Sequence, residues 1–251
     1  SLTKLQSHQR EIQIMGCSSG PDIIEDGLVL CLDAASKRSY PGTGTVWTDL
    51  KGGNNGTLTN MDAANFSSDN VGSLSFDGSN EYVVTNDSDL LSFTNAKFSL
   101  EVYFKYVNKT DQFNALVGKR DYGATQREYY FFVDEAVSTP TVQFIISSNL
   151  TPNWTYVITP AIQKNRWYHA VATSNAGVGR VYLDGKLSAS NSSMHSSTTN
   201  GNSPFSIGNS YTNGSPIQFL NGSISLARVY NRVLTADEVR QNYLSTKERF
   251  V

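Results

Sequence analysis

The stretch "FSLEVYFKYV", residues 98–107, is the most regular in the chain. In an extended backbone, successive side chains point to opposite faces. Phe98, Leu100, Val102, Phe104 and Tyr106 therefore share one side, and Ser99, Glu101, Tyr103 and Lys105 share the other. The first side is expected in a core, the second as a polar and aromatic outer surface. The same grammar recurs in "EYYFFV" (128–133), "TVQFIIS" (141–147), "WTYVI" (154–158), "WYHAVAT" (167–173), "RVYLDGK" (180–186), "FSIG" (205–208) and "SISLARVYN" (223–231). "LVLCLDA" (28–34) is a short apolar run between turn residues, the mark of a strand covered on both faces. "SLSFDGSNEYVVT" (73–85) reads as two strands around a hairpin-type turn at Asp77-Gly78-Ser79-Asn80. The segments between strands are rich in Gly, Asn, Ser, Thr and Pro, the longest being the loop read over 188–204. About a dozen strands with polar turns and almost no helix predict an antiparallel two-sheet sandwich rather than a parallel sheet.

The 251 residues suit one large β-domain, and 39% hydrophobic with 11% aromatic residues is enough to fill a core between sheets. A formal charge of −2 with no basic stripe argues against a nucleic-acid partner. No apolar run is long enough to span a bilayer, so no membrane partner is expected. "IMGCSSG" (14–20) faintly resembles a lipoprotein cleavage box, but Lys4, His8, Arg10 and Glu11 break the apolar segment such a signal needs. Cys31 sits in an apolar strand, where a free thiol packs as a small hydrophobe, and that is the expectation here. Residues 1–26 are polar, weakly patterned and interrupted by Gly20-Pro21; they read as an arm ahead of a domain spanning 27–251.

The chain closes on a different signal. Thr235-Ala-Asp-Glu238 is a capping box, with Leu234 and Val239 placed for a hydrophobic staple, and Asp237 and Glu238 suit the positive end of a helix dipole. A short clasp helix over 235–247 is predicted, packing through Val239, Tyr243 and Leu244.

Read in order, these phrases resemble the laminin-G-like, concanavalin A-like jelly rolls. The matching residues are Phe76, Asp77, Gly78, Tyr82 and Val83; then Trp167 and His169; then Tyr182, Asp184 and Gly185; then Gly222, Ile224, Tyr230, Asn231, Arg232 and Leu234. The resemblance covers roughly residues 27–247 and implies a concanavalin A-like jelly roll with a short C-terminal helix. One position departs: many relatives carry Asp after Gly-x-Ile, where this chain has Ser225-Leu226-Ala227. A narrower resemblance is to jelly rolls of tailed-bacteriophage structural proteins. It rests on Leu32-Asp33-Ala34, Tyr40-Pro41-Gly42, Trp47-Thr48-Asp49-Leu50 and Asn54-Asn55-Gly56-Thr57-Leu58.

Several kinds of chemistry can be weighed against the residues. Glycosidases of this fold need a pair of carboxylates, and Glu101 stands alone on the matching strand, so no catalytic residue is assigned and the chain is expected not to be an enzyme. His8, His169 and His195 have no ligand spacing, and His169 reads as a hydrogen-bonded strand histidine. Asp77, Asp121, Asp134 and Asp184 lie at turns where a Ca²⁺ ion could be held, although Asp-Gly is also simply what hairpins require. No other cofactor is expected. Sugar recognition uses aromatic rings against the apolar sugar face with amides and hydroxyls at the rim. Tyr122, Trp154, Tyr156, Asn209 and Tyr211 are the candidates, each of which could equally pack beneath its own loop.

The resemblances together imply a non-enzymatic virion protein, a capsid decoration or tail/fibre component. It would attach to other virion proteins through the arm or a sheet edge, with loops free to meet cell-surface polysaccharide. The alternative is an extracellular carbohydrate-binding or adhesion module of a bacterial protein.

Overall fold

The computed structural model describes residues 22–250, apart from 110, 124–125, 137–138 and 148–153. Among them, an eight-stranded and a ten-stranded sheet stack into a sandwich. The eight-stranded sheet runs in the order Lys186–Asn191, Val178–Leu183, Trp167–Asn175, Lys97–Tyr106, Asn221–Tyr230, Ser73–Asp77 and Phe66–Ser67, with Leu28–Asp33 also paired to Asn221–Tyr230. The ten-stranded sheet runs Thr155–Ala161, Thr141–Ile146, Gln126–Asp134, Phe113–Asp121, Phe205–Ile207, Tyr82–Val84, Gly56–Thr59 and Val46–Trp47. A small hairpin, Ser210–Thr212 with Ser215–Ile217, hangs from this sheet by a single parallel bridge, Tyr211 to Asp121. All other pairings are antiparallel, as a jelly roll requires.

The alternation at 98–106 works as expected on its apolar side. Phe98, Leu100, Val102, Phe104 and Tyr106 are fully buried, facing Phe131, Phe144 and Ile146 from the opposite sheet. The other side differs from the expected surface. Ser99, Glu101 and Tyr103 are also buried, because the helix Ala236–Thr246 and the segment from Asp22 lie across this face. A second apolar cluster, including Ile23, Leu28, Val171, Tyr230, Leu234 and Val239, fills that layer.

The helix begins as its capping box dictates. Thr235 Oγ1 accepts from the Glu238 N–H (3.2 Å), and Glu238 Oε2 accepts from the Thr235 N–H (2.8 Å). Arg232 adds a two-pronged bond to the same carboxylate at 2.7 and 2.9 Å. Leu244, expected on the packed face, is 42% exposed; Asn242 occupies the buried position instead, and its amide reaches Glu101. Beneath the helix, the hairpin Asp184-Gly185 carries φ of +50° and +74°, the left-handed pair that a two-residue turn demands. A Cβ on Gly185 would stand 2.9 Å from Tyr243 Cδ1, closer than a side chain can sit without something shifting.

Three further expectations change. Asp77-Gly78-Ser79-Asn80 does not fold a hairpin: Ser73–Asp77 and Tyr82–Val84 belong to different sheets, so the turn carries the chain from one to the other. Asp77 Oδ1 accepts from the Ser79 N–H (2.7 Å) and fixes the bend, while Phe76 and Val83 enter the same core from its two sides. Lys186–Asn191 is a strand at a sheet edge, so the polar segment read as a loop from 188 starts as a strand. Cys31 is disulfide-bonded, not a free thiol. The only other cysteine of the sequence, Cys17, and the rest of the arm to residue 21 lie outside the described residues. No helix among the described residues is long and apolar enough to cross a membrane.

Candidate functional site: an aromatic cleft on the ten-stranded sheet

The run "EYYFFV" is apolar on both sides of its strand. Tyr129, Phe131 and Val133 point into the core, while Tyr130 and Phe132 point outward with Ile145 of the neighbouring strand and Ala115 of the other. An antiparallel sheet normally shows water a polar outer face. Here the outer face is an apolar floor, and it is the base of a cleft of about 370 Å³. Tyr130 and Phe132 stack at 4.5 Å, and Phe113 meets Phe132 edge-on at 5.5 Å. Ile217 and Gln218, at the end of the small hairpin, form one wall.

Tyr122, Trp154 and Tyr156 form the rim. The Tyr122 and Trp154 rings lie nearly parallel, 18° apart with centroids 5.8 Å apart. Tyr122 and Tyr156 remain 46% and 37% exposed, so their rings present apolar area at the mouth. The Tyr122 N–H donates to the Tyr211 carbonyl (2.8 Å), and the Tyr122 carbonyl accepts from Arg127 at 2.9 and 2.5 Å. This double hold fixes a residue that sits in a turn.

Arg120 runs along the cleft. Its Nη1 donates to Ser210 Oγ (3.1 Å) and Gln218 Oε1 (3.2 Å), and Gln218 Oε1 also accepts from the Tyr130 hydroxyl (3.0 Å). The guanidinium carbon stands 4.8, 5.1 and 5.3 Å from the Tyr130, Tyr122 and Trp154 ring centres. Arg127 stands 4.5 and 5.2 Å from the Tyr122 and Trp154 rings. Ring faces are electron-rich and attract such cations, by about 0.5–2 kcal/mol each. Burial lowers the Arg120 pKa from its usual value; Tyr130 counters this and Arg127 adds to it.

Of the sequence candidates, Tyr122, Trp154 and Tyr156 line this cleft, and Asn209 and Tyr211 do not. Asn209 is fully buried and its amide donates to the Ser210 carbonyl. Tyr211 turns inward against Tyr82, edge-on at 6.4 Å, and burial pushes its phenol up to about 12. These two hold the hairpin that carries the wall. Arg120, Tyr130, Phe132, Ile145 and Gln218 also line the cleft and are not among the sequence candidates, which come from loops and strand ends. The available signal was four consecutive aromatics, Tyr129 to Phe132, in an antiparallel setting.

The four aspartates do not converge. Asp77 caps its own bend, and Asp121 Oδ2 accepts from the Gly214 N–H (2.7 Å). Asp134 bonds the Ala136 N–H and the Gln143 amide, and Asp184 bonds the His169 N–H and Arg166. No cluster of metal-binding side chains occurs among the described residues.

Glu101 lies on the other sheet, closed from solvent. It accepts from His169 Nε2–H (2.9 Å), Arg228 Nη1 (2.8 Å), Asn242 Nδ2 (2.8 Å) and the Tyr230 hydroxyl (3.2 Å). Burial by itself would raise this carboxyl; Arg228 and then His169 and Asn242 override it and hold it at about 2.

A family model described as the concanavalin A-like lectin/glucanases superfamily matches residues 77–240. The chain belongs to that superfamily. Solved structures with the same fold include the Trypanosoma rangeli sialidase in complex with the inhibitor DANA, at 20% identity and a TM-score of 0.64 over 91% of this chain and 34% of that one. This chain thus spans about a third of the sialidase's length. Domain 4 of AbnA, an extracellular arabinanase of Geobacillus stearothermophilus solved with arabinotriose, matches at 16% identity and a TM-score of 0.63, over 88% of this chain and all of that domain. The binding domain of Paraclostridial Mosquitocidal Protein 1 matches at 14% identity and a TM-score of 0.64, over 86% and 52%. At these identities the likeness is one of fold. The comparison with curated proteins found no match.

Proposed function

We propose that this superfamily member is a non-enzymatic carbohydrate-binding module and that the aromatic cleft is its sugar site. The observation that carries the reading is the combination of exposed rings at Tyr122 and Tyr156 and the half-buried Trp154 with a preformed apolar floor at Tyr130, Phe132 and Ile145. Concave, largely apolar sites with a few fixed polar groups are what small ligands occupy. A pyranose offers an apolar face to the rings and hydroxyls to Gln218 and Arg120. The arabinanase domain solved with arabinotriose, of the same fold, is consistent with such a role. The absence of chemistry is argued from Glu101: fully buried and bonded on all sides, it is out of reach of a glycosidic bond.

The test is a glycan array probed with the whole chain and with Trp154→Ala. Binding by the parent with at least a tenfold loss in the variant, at equal thermal stability, is expected. Equal binding by the variant would remove the cleft from the account. Release of reducing ends by the parent would make it an enzyme.

For the setting of this module, the motifs Leu32-Asp33-Ala34, Tyr40-Pro41-Gly42 and Trp47-Thr48-Asp49-Leu50 favour a virion over a secreted bacterial protein. Co-purification with phage particles at fixed stoichiometry is the expected outcome, and purification from culture medium free of particles would favour the secreted form.

A further inference from the structure

Adjacent residues on the strand Phe113–Asp121 bury two cations on opposite faces and treat them differently. Lys119, with its side chain fully buried, is neutralised: its ammonium bonds Glu128 Oε1 (2.7 Å) and Asp87 Oδ1 (2.8 Å), with the Gly201 carbonyl at 2.6 Å. Arg120, only 8% exposed, forms no ion pair with any Asp or Glu among the described residues. Its hydrogen-bond partners are the neutral Ser210 and Gln218, both on Nη1. Nε is buried without a partner, and no acceptor among the described residues takes Nη2. The segments next to the rim in sequence, Ala124–Thr125 and 148–153, contain no acidic residue either. Buried charges are ordinarily paired, and a lone one is costly. Ring faces offset part of that cost, but they do not supply a negative charge.

We infer that the cleft takes a carboxylate-bearing sugar, with the acid group seated against Arg120 and the sugar ring against the rim aromatics. This rests on the carbohydrate reading above and names the class of ligand. A carboxylate is a strong acceptor for a guanidinium, since charge-assisted bonds are roughly twice as strong as neutral ones. The cleft lining supplies no carboxylate of its own to repel it or compete for Arg120. Uronic acids and sialic acids share this chemistry.

The experiment titrates the whole chain with oligogalacturonate, oligomannuronate and sialyllactose, each beside its carboxyl methyl ester, and with neutral arabino- and cello-oligosaccharides. The ester keeps the sugar and removes only the charge. At least one acid is expected to bind about tenfold or more tightly than its ester. The uronate and sialyl arms then tell the two sources apart. Arg120→Gln should abolish the acid preference. Should that variant fail to fold, the acid–ester ratio of the parent decides alone. Equal binding of acids and esters, or of neutral sugars only, overturns the inference and leaves the carbohydrate reading standing. An acid preference that survives Arg120→Gln in folded protein also overturns it. No binding by any sugar, charged or neutral, sinks the underlying reading and this one with it.

Discussion

The outer faces of the two sheets both bury charge, and they end differently. Over the eight-stranded sheet, Glu101 has Arg228, His169, Asn242 and Tyr230 around it and a helix across it. Over the ten-stranded sheet, Arg120 has neutral partners, ring faces and an open cleft. The first arrangement is closed in both charge and space, so it can only hold the molecule together. The second is open in both, and that is the condition for binding something from outside. Within one sandwich, the state of satisfaction of a buried charge separates the closed face from the one proposed to bind a ligand.

The sharpest way to break this contrast is to remove the closed charge. Glu101→Ala leaves Arg228 buried without its carboxylate, and a loss of about 3–5 kcal/mol is expected from urea denaturation. A loss below about 1 kcal/mol would mean the network contributes little to holding the clasp. Acid should expose the same difference. The Glu101 carboxyl is held at about 2, below its usual value, so its contribution is present above the usual carboxylate range and is lost as pH falls from about 4.5 toward 2. Thermal melts between pH 5 and pH 2.5 should fall steeply for the parent and less steeply for Glu101→Gln. Glu238, also held at about 2, chiefly by Arg232, must be compared because it titrates in the same window. Parallel acid limbs for the parent and Glu101→Gln would assign the effect to Glu238 instead.

How far the sequence could be read depends on what kind of fact each element encodes. The alternation at 98–106 and the capping box at Thr235 are local patterns, and both appear where they were read. What covers a face is not local. Glu101 and Ser99 read as surface because nothing in their own strand shows that a helix from residue 236 returns over them. The bend at Asp77 has hairpin residues, but only the partners of Ser73–Asp77 and Tyr82–Val84, far along the chain, make it a crossing between sheets. Tyr122, Trp154 and Tyr156 were legible as aromatics beside polar loops. Asn209 and Tyr211 carry the same signal and turn inward, because the small hairpin's direction is set by its bridge to Asp121. Arg120 is visible as a basic residue two positions before Tyr122, but that its charge goes unpaired is defined by what is missing around it, which no local pattern encodes.

The most direct test of the contrast is hydrogen exchange with and without the tightest glycan of the panel. Protection confined to Phe113–Asp121, Gln126–Asp134, Thr141–Ile146, Thr155–Ala161 and the Ser210–Ile217 hairpin is the predicted result. Protection centred on Lys97–Tyr106, Asn221–Tyr230 and the helix Ala236–Thr246, with the cleft strands unchanged, would contradict it.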